Sequence, residues 1–256
     1  MMSLLAFMKK EWMELVRSGK LIIFIILFIL FGIMNPAIAK LTPWMMEVMA
    51  ESLEETGLIV TEVYVDALTS WTQFFKNIPI GLISFVLIYS SVLTKEYQSG
   101  TLVLVLTKGL SRYKVVIAKS AMMLLVWTSC YWLCYGITYG YNEYFWDNSI
   151  ADNLVFSVVC WWLMGVLAIA LVVFFSAVTN TNTGVMLATG GTFLGAYLLG
   201  LLPKLEKYSP TKLMDSASLL YGVEGIGEYK SAIVITIALI VVCISASLPI
   251  MNKKRI

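Results

Sequence analysis

Six long apolar runs divide the chain, at residues 21–39, 77–93, 120–141, 153–178, 184–202 and 231–251. Each approaches or exceeds the ~20 residues that carry a helix across a hydrocarbon core about 30 Å thick. The shortest, 77–93, reaches that length by borrowing Phe74 and Phe75. Backbone N–H and C=O groups find no water inside a bilayer, so a helix, which pairs its own groups, is the economical structure. The alternation of apolar and polar positions that marks a membrane barrel is missing. The pattern predicts an all-α membrane protein with six transmembrane helices, forming a single transmembrane domain over residues 1–256.

Ahead of the first run, residues 3–20 repeat apolar side chains at helical spacing. Leu5, Met8, Trp12, Leu15 and Val16 form the stripe, and Lys9, Lys10, Glu14 and Arg17 fall elsewhere. A basic, Trp-bearing amphipathic helix beside a span predicts a helix lying in the membrane interface. The first apolar run exceeds a signal-peptide core and lacks a small-x-small cleavage site, since Asn35-Pro36 does not supply one. It is expected to be retained.

Composition agrees with the pattern. Of 256 residues 59% are apolar and 13% charged, half the charged share of a soluble domain, and the mean hydropathy is +0.84. The net charge of +2 hides a strong asymmetry. With the N-terminus inside, the inner segments carry twelve Lys and Arg against three acids; the outer segments carry six against thirteen. The excess of inner positive charge places both termini in the cytoplasm. Outer acids gather at Glu47, Glu51, Glu54, Glu55, Glu62 and Asp66, within a connector, 40–76, whose Trp44, Met45, Val48, Met49 and Leu53 predict a short outer helix. The connector 203–230 holds Leu213, Ala217, Leu219, Leu220 and Tyr221, a stretch predicted to dip into the outer membrane face without crossing it.

Candidate chemistry is sparse. There is no His, which removes the commonest general base and metal ligand. Cys130, Cys134, Cys160 and Cys243 all lie within apolar runs, so they read as packing residues and no metal site is expected. None of the six runs contains an ionisable Asp, Glu, Lys or Arg, which argues against an ion-coupled transporter. A Gly-x-Ser-x-Gly elbow is missing, and so is a nucleotide phosphate loop, because Gly19-Lys20 lacks the earlier Gly and the following Ser or Thr. Uphill transport would therefore draw on another subunit.

The segment that bears on this is 95–119, a basic stretch between the second and third runs. It contains Glu96-x-x-x-Gly100-Thr101-Leu102, then Ser111-Arg112, and closes on Lys119. This order resembles the first inner loop of the permease subunits of type-2 ATP-binding-cassette (ABC) exporters. Lys10-Glu11 and Arg17 are similar to that family's N-terminal elbow helix. The family often has a Pro just before Ser-Arg, where this chain has Lys108-Gly109-Leu110. The resemblance extends to the architecture of nearly the whole chain.

It implies that Glu96, Gly100, Thr101, Arg112 and Lys119, with Glu11 and Arg17 of the elbow, couple the permease to an ABC ATPase subunit present in two copies. ATP and magnesium would be bound by that partner, with no cofactor in this chain. The resemblance also implies a second permease, identical or a close paralogue, and a bacterial inner (plasma) membrane location. Lipid is the other partner, and nothing points to nucleic acid. Gly100 would permit a tight turn, and Arg112 would pair with carboxylates of the ATPase. Gly191-x-x-x-Gly195 and Ala196-x-x-x-Gly200 allow close helix approach, within the subunit or, as the sharper expectation, between two permeases at Gly191, Gly195 and Gly200. Trp127, Tyr131 and Tyr135 recur every four residues and are candidates to line a substrate path, packing being the plainer reading. The expected activity is ATP-driven export of an apolar or amphipathic cargo such as a peptide, lipid-like compound or antibiotic. A self-contained channel, lipid scramblase or assembly factor is the alternative, and would need no docking surface.

Overall fold

The computed structural model describes residues 4–54, 64–107 and 109–254. Ten α-helices follow one another among them: α1 Leu4–Arg17, α2 Lys20–Glu54, α3 Ala67–Tyr89, α4 Ser91–Gln98, α5 Thr101–Thr107, α6 Arg112–Phe145, α7 Leu154–Val178, α8 Asn182–Gly200, α9 Ser216–Leu220 and α10 Lys230–Lys253. Short 3-10 turns fill Asn148–Ile150 and much of the segment between α8 and α10. Six helical stretches are long and apolar enough to cross a membrane, α3 and α4 forming one of them over Ala67–Gln98. The all-α fold with six such helices and a preceding N-terminal helix has the expected form.

The helix ends differ from the apolar runs because polar residues at a membrane surface can continue a helix. α3 starts at Ala67, where the Asp66 side chain accepts from the Thr69 N–H and caps it. Lys76, placed outside the spans by the sequence, therefore lies in this helix. α6 starts at Arg112, so the last part of the basic segment is helical and continuous with the third span. The separate outer helix predicted around Trp44 is the far end of α2, which runs through Pro36 and Pro43 without a break. Glu55, Glu62 and Lys108 lie outside the described residues, as do the side chains of Glu51 and Glu54.

One buried polar network joins the first three spans, and Pro36 explains part of it. Proline has no N–H, so the carbonyl four residues back, on Gly32, loses its helical donor. The Thr138 hydroxyl of α6 donates to that carbonyl at 3.1 Å and accepts from Asn35 Nδ2 at 3.0 Å. Asn77 Nδ2 of α3 then donates to Asn35 Oδ1 at 2.7 Å. Gly32 makes the approach possible: a Cβ there would stand 2.9 Å from Ile137 Cβ.

Aromatic packing builds the core around α3, α6 and α7. Phe24, Phe85, Tyr89 and Trp127 are buried, and Trp127 stacks on Tyr131 with centroids 5.4 Å apart. The Trp127 indole lies flat on Gly165 of α7, where a Cβ would come within 2.0 Å of the ring. By contrast, most of α8 and α10 is exposed, leaving apolar faces for lipid or a partner.

The segment 203–230 folds back onto α7 and α10. Leu213, Leu219 and Leu220 are buried, whereas Ala217 and Tyr221 remain outside. Lys212 fastens it by ion pairs to Glu206 at 3.0 Å, Asp215 at 3.3 Å and Glu224 at 2.8 Å. Burial opposes the lysine charge, but the hydrogen bonds it donates to these three carboxylates outweigh that and hold the pKa above the ordinary lysine value.

Candidate functional site: a buried ion cluster behind an exposed turn

At the end of the bundle that carries α1, the chain packs α4, α5 and the start of α6 against α1 and the tail of α10. Phe7, Glu11 and Leu15 follow at four-residue spacing on α1, and the face they make is buried. The apolar stripe read from the sequence divides: Leu15 is buried and Met8 partly so, whereas Leu5, Trp12 and Val16 are exposed, the arrangement of a helix resting on lipid.

Glu11 meets two residues of the basic segment. Lys119 Nζ lies 2.8 Å from Glu11 Oε2 and 3.0 Å from Glu96 Oε1, joining α1, α4 and α6 through one ammonium group. Lys119 is 3% exposed. Lys10 adds contacts to Glu11 at 3.1 Å, Glu14 at 3.1 Å and Glu96 at 3.4 Å. Burial works against the Lys10 charge, yet Glu11, Glu14 and Glu96 together raise its pKa. Burial likewise pushes Glu14 up, but the Lys10 hydrogen bond and charge prevail and lower it. Carboxylate oxygens of Glu11, Glu14 and Glu96 come within 4.8 Å of one another, a spacing a metal ion could use. The two ammonium groups already supply the countercharge there.

Glu11, Glu96 and Lys119, expected from the resemblance to couple the permease to an ATPase, lie together behind the surface. They are buried and pair with one another, because a charge removed from water needs a close opposite charge, although Glu96 Oε2 is left without a hydrogen-bond partner. Arg112, also expected at the coupling surface, is held within the chain. Its guanidinium donates to the carbonyls of Met251 and Asn252, each at 3.3 Å, and to that of Lys254. These carbonyls belong to the end of α10, where a cation also meets the negative pole of the helix. Lys254 does the same for α7, donating to the Ser176 and Thr179 carbonyls at 3.0 and 2.7 Å.

Gly100 and Thr101 are exposed, as the docking expectation requires. Gly100 has φ +68°, in the left-handed region that favours glycine, and turns the chain between α4 and α5. The Ser99 and Thr101 hydroxyls lie 2.9 Å apart across it. Gly109, in place of the proline of the resembled family, takes φ +83° at the end of α5. Arg17 is exposed in the last turn of α1.

The aromatic residues proposed to line a path sit elsewhere. Trp127 and Tyr131 are fully buried, their polar groups donating to the carbonyls of Trp162 at 3.1 Å and Val158 at 2.7 Å. Tyr135 packs beside Trp71 with ring centroids 5.6 Å apart. They bind α6 to α7 and α3. A cleft of about 430 Å³ lies instead between α3, α7 and α8, bordered by Leu82, Val86, Trp161, Leu187, Thr189 and Phe193. It is apolar apart from Trp161 Nε1 and Thr189 Oγ1, both buried without a partner. Trp161 belongs to the aromatic-rich part of its apolar run, whereas nothing in the sequence marks Thr189. Of the candidate interface glycines, Gly191 and Gly195 face open space, whereas Gly200 packs within the subunit, where a Cβ would lie 2.7 Å from Thr211 Oγ1.

The model of the ABC-2 family transporter proteins matches residues 5–203. The chain belongs to that family. The match runs from α1 to the end of α8 and so takes in the buried ion cluster, the Gly100 turn and the cleft. No curated protein and no solved structure gave a match. ABC-2 membrane proteins are the non-catalytic permease components of ABC systems, typically paired with an ATPase subunit and often with a second permease.

Proposed function

We propose that this permease moves an apolar or amphipathic cargo, such as a peptide, lipid-like compound or antibiotic, outward using ATP hydrolysed by a separate subunit. The exposed Gly100 turn with the buried Glu11–Lys119–Glu96 cluster behind it carries the reading. A force on the turn reaches α1, α4 and α6 together, because one ammonium group holds all three. The ATPase seats on the exposed residues around it, Ser99, Thr101 and Val103. Glu11, Glu96, Lys119 and Arg112 transmit the motion without touching the partner. The charge asymmetry of the sequence supports placing this end, with both termini, in the cytoplasm.

Cargo then passes along the α3–α7–α8 cleft, whose wall is almost wholly apolar. A second permease facing Gly191 and Gly195 would enclose the path, with the whole unit acting as one domain.

Affinity purification in mild detergent from native membranes tests the proposal. A soluble ATPase in comparable amount is expected to co-purify, and Val103→Asp, which alters only the exposed turn, is expected to remove it. A permease that purifies alone and moves cargo in vesicles without ATP would overturn it.

A further inference from the structure

Beside the ion cluster lies a cavity of about 90 Å³, bounded by α1, the first residue of α2, the α3–α4 junction and α6. That is room for several water-sized groups. Its rim, Glu14, Ser18 and Lys95, is exposed, and its floor includes the buried Tyr89 and Glu96.

Hydrogen bonding here is incomplete. Lys119 and Lys10 reach Glu96 only through Oε1, and Glu96 Oε2 is buried without a hydrogen-bond partner. The Tyr89 hydroxyl, on a side chain 2% exposed, is also without one. Buried polar groups are seldom left in this state, and each costs free energy unless something pairs with it. Lys20 and Lys95 line the same cavity, and among the described residues neither forms an ion pair. Lys20 Nζ stands 6.0 Å from the Tyr89 ring centroid. The unused capacity is therefore two ammonium groups and a phenol for an anion, close to one carboxylate oxygen for a cationic donor.

The depth of the cavity matches this chemistry. Lys20 begins the first membrane-length helix, and α1 beside it turns Leu5, Trp12, Met13 and Val16 outward. Phospholipid headgroups lie at such a boundary. We infer that the cavity binds the headgroup of an aminophospholipid, its phosphate taken by Lys20, Lys95 and the Tyr89 hydroxyl and its primary ammonium by Glu96 Oε2. The ligand would brace α1 against α4 and α6 from the lipid side. This inference needs only a membrane around the helices and no ATPase.

Native mass spectrometry of the detergent-purified chain, titrated with phosphatidylethanolamine, phosphatidylcholine and phosphatidylglycerol, tests it. Phosphatidylethanolamine is expected to bind at about tenfold lower concentration than the other two, the worth of one charge-assisted hydrogen bond. Choline has no N–H to offer Glu96, and glycerol has no charge. Tyr89→Phe should weaken retention of all three lipids several-fold, and Lys20→Met with Lys95→Met should weaken it further, because these groups hold the phosphate that the three lipids share. Neither variant touches the ion cluster, and Tyr89→Phe keeps the ring on Phe24 and Phe85. Equal binding of the three lipids, or retention unchanged in both variants, would overturn the inference. A preference for phosphatidylglycerol would leave an anion site and reject the zwitterionic one. Displacement of the lipid by millimolar phosphoethanolamine or inorganic phosphate would assign the site to a soluble ligand and reject the lipid.

Discussion

Lys119 Nζ and Glu11 Oε2 meet at 2.8 Å although 108 residues separate them in the chain. The contact pins the interfacial helix α1 to the third span, and Glu96 closes it from the segment between. A buried ion pair stabilises little by comparison with apolar packing, but losing one partner leaves the other charged and dehydrated. Lys119→Met is therefore expected to destabilise the chain by about 3–5 kcal/mol. The triple change Glu11→Gln, Glu96→Gln, Lys119→Met should recover part of that loss. Thermal unfolding in detergent compares the two. A single variant as stable as the parent would show that the cluster holds nothing.

The hold on α1 should depend on pH through Glu14. Its folded-state pKa lies below the ordinary 4.5, so its contribution is complete above that value. That contribution is lost as pH falls through the lower folded value. Lys10, whose pKa is raised above 10.5, behaves in the opposite sense, contributing fully below 10.5 and losing its hold only as pH rises through the folded value. Amide exchange in α1 is expected to quicken on acidification below about 4.5, and Glu14→Gln should remove that part of the response. The same acid profile in parent and variant would assign it to other groups.

Gly165 is a sharper case of packing. Since an added Cβ would lie 2.0 Å from the Trp127 indole, Gly165→Ala forces the ring off the helix. The movement would also break the Trp127 bond to the Trp162 carbonyl. A loss of about 1–3 kcal/mol is expected, typical of overpacking. Gly191→Ala, with open space around it, should change the stability of the isolated chain little. Equal effects at the two sites would contradict the packing described.

These contrasts explain what the sequence could and could not reveal. Helix number followed from the length of the apolar runs, because lipid leaves so few ways to satisfy a backbone. Burial of Glu96 and Lys119 did not follow, since a basic segment between spans reads as a solvated surface and the partner residue lies on α1. A trace was present in Phe7, Glu11 and Leu15, whose spacing sets a carboxylate in an apolar face. Trp127 and Tyr131 were ambiguous for a related reason. Aromatic residues four apart mark one helical face whether it borders a path or a core, and only Gly165 opposite distinguishes the two. The cleft needed tertiary structure, because α3, α7 and α8 bring it together from distant parts of the chain.

The polar network offers a test of how the first three spans are joined. Thr138→Val keeps the shape of the side chain but strips the Gly32 carbonyl of its donor and Asn35 of its acceptor. Inside a membrane such a bond is worth about 0.6 kcal/mol on average and up to about 1.7. Here two are lost at once, and the carbonyl has no helical donor to fall back on because residue 36 is proline. A loss of about 1–3 kcal/mol is therefore expected. Replacing Pro36 by Ala restores the missing N–H, so Thr138→Val should cost less in a Pro36→Ala background than in the parent. The double-mutant cycle measured by unfolding in detergent reads this coupling directly. Strictly additive effects would mean that Thr138 does not compensate for the proline.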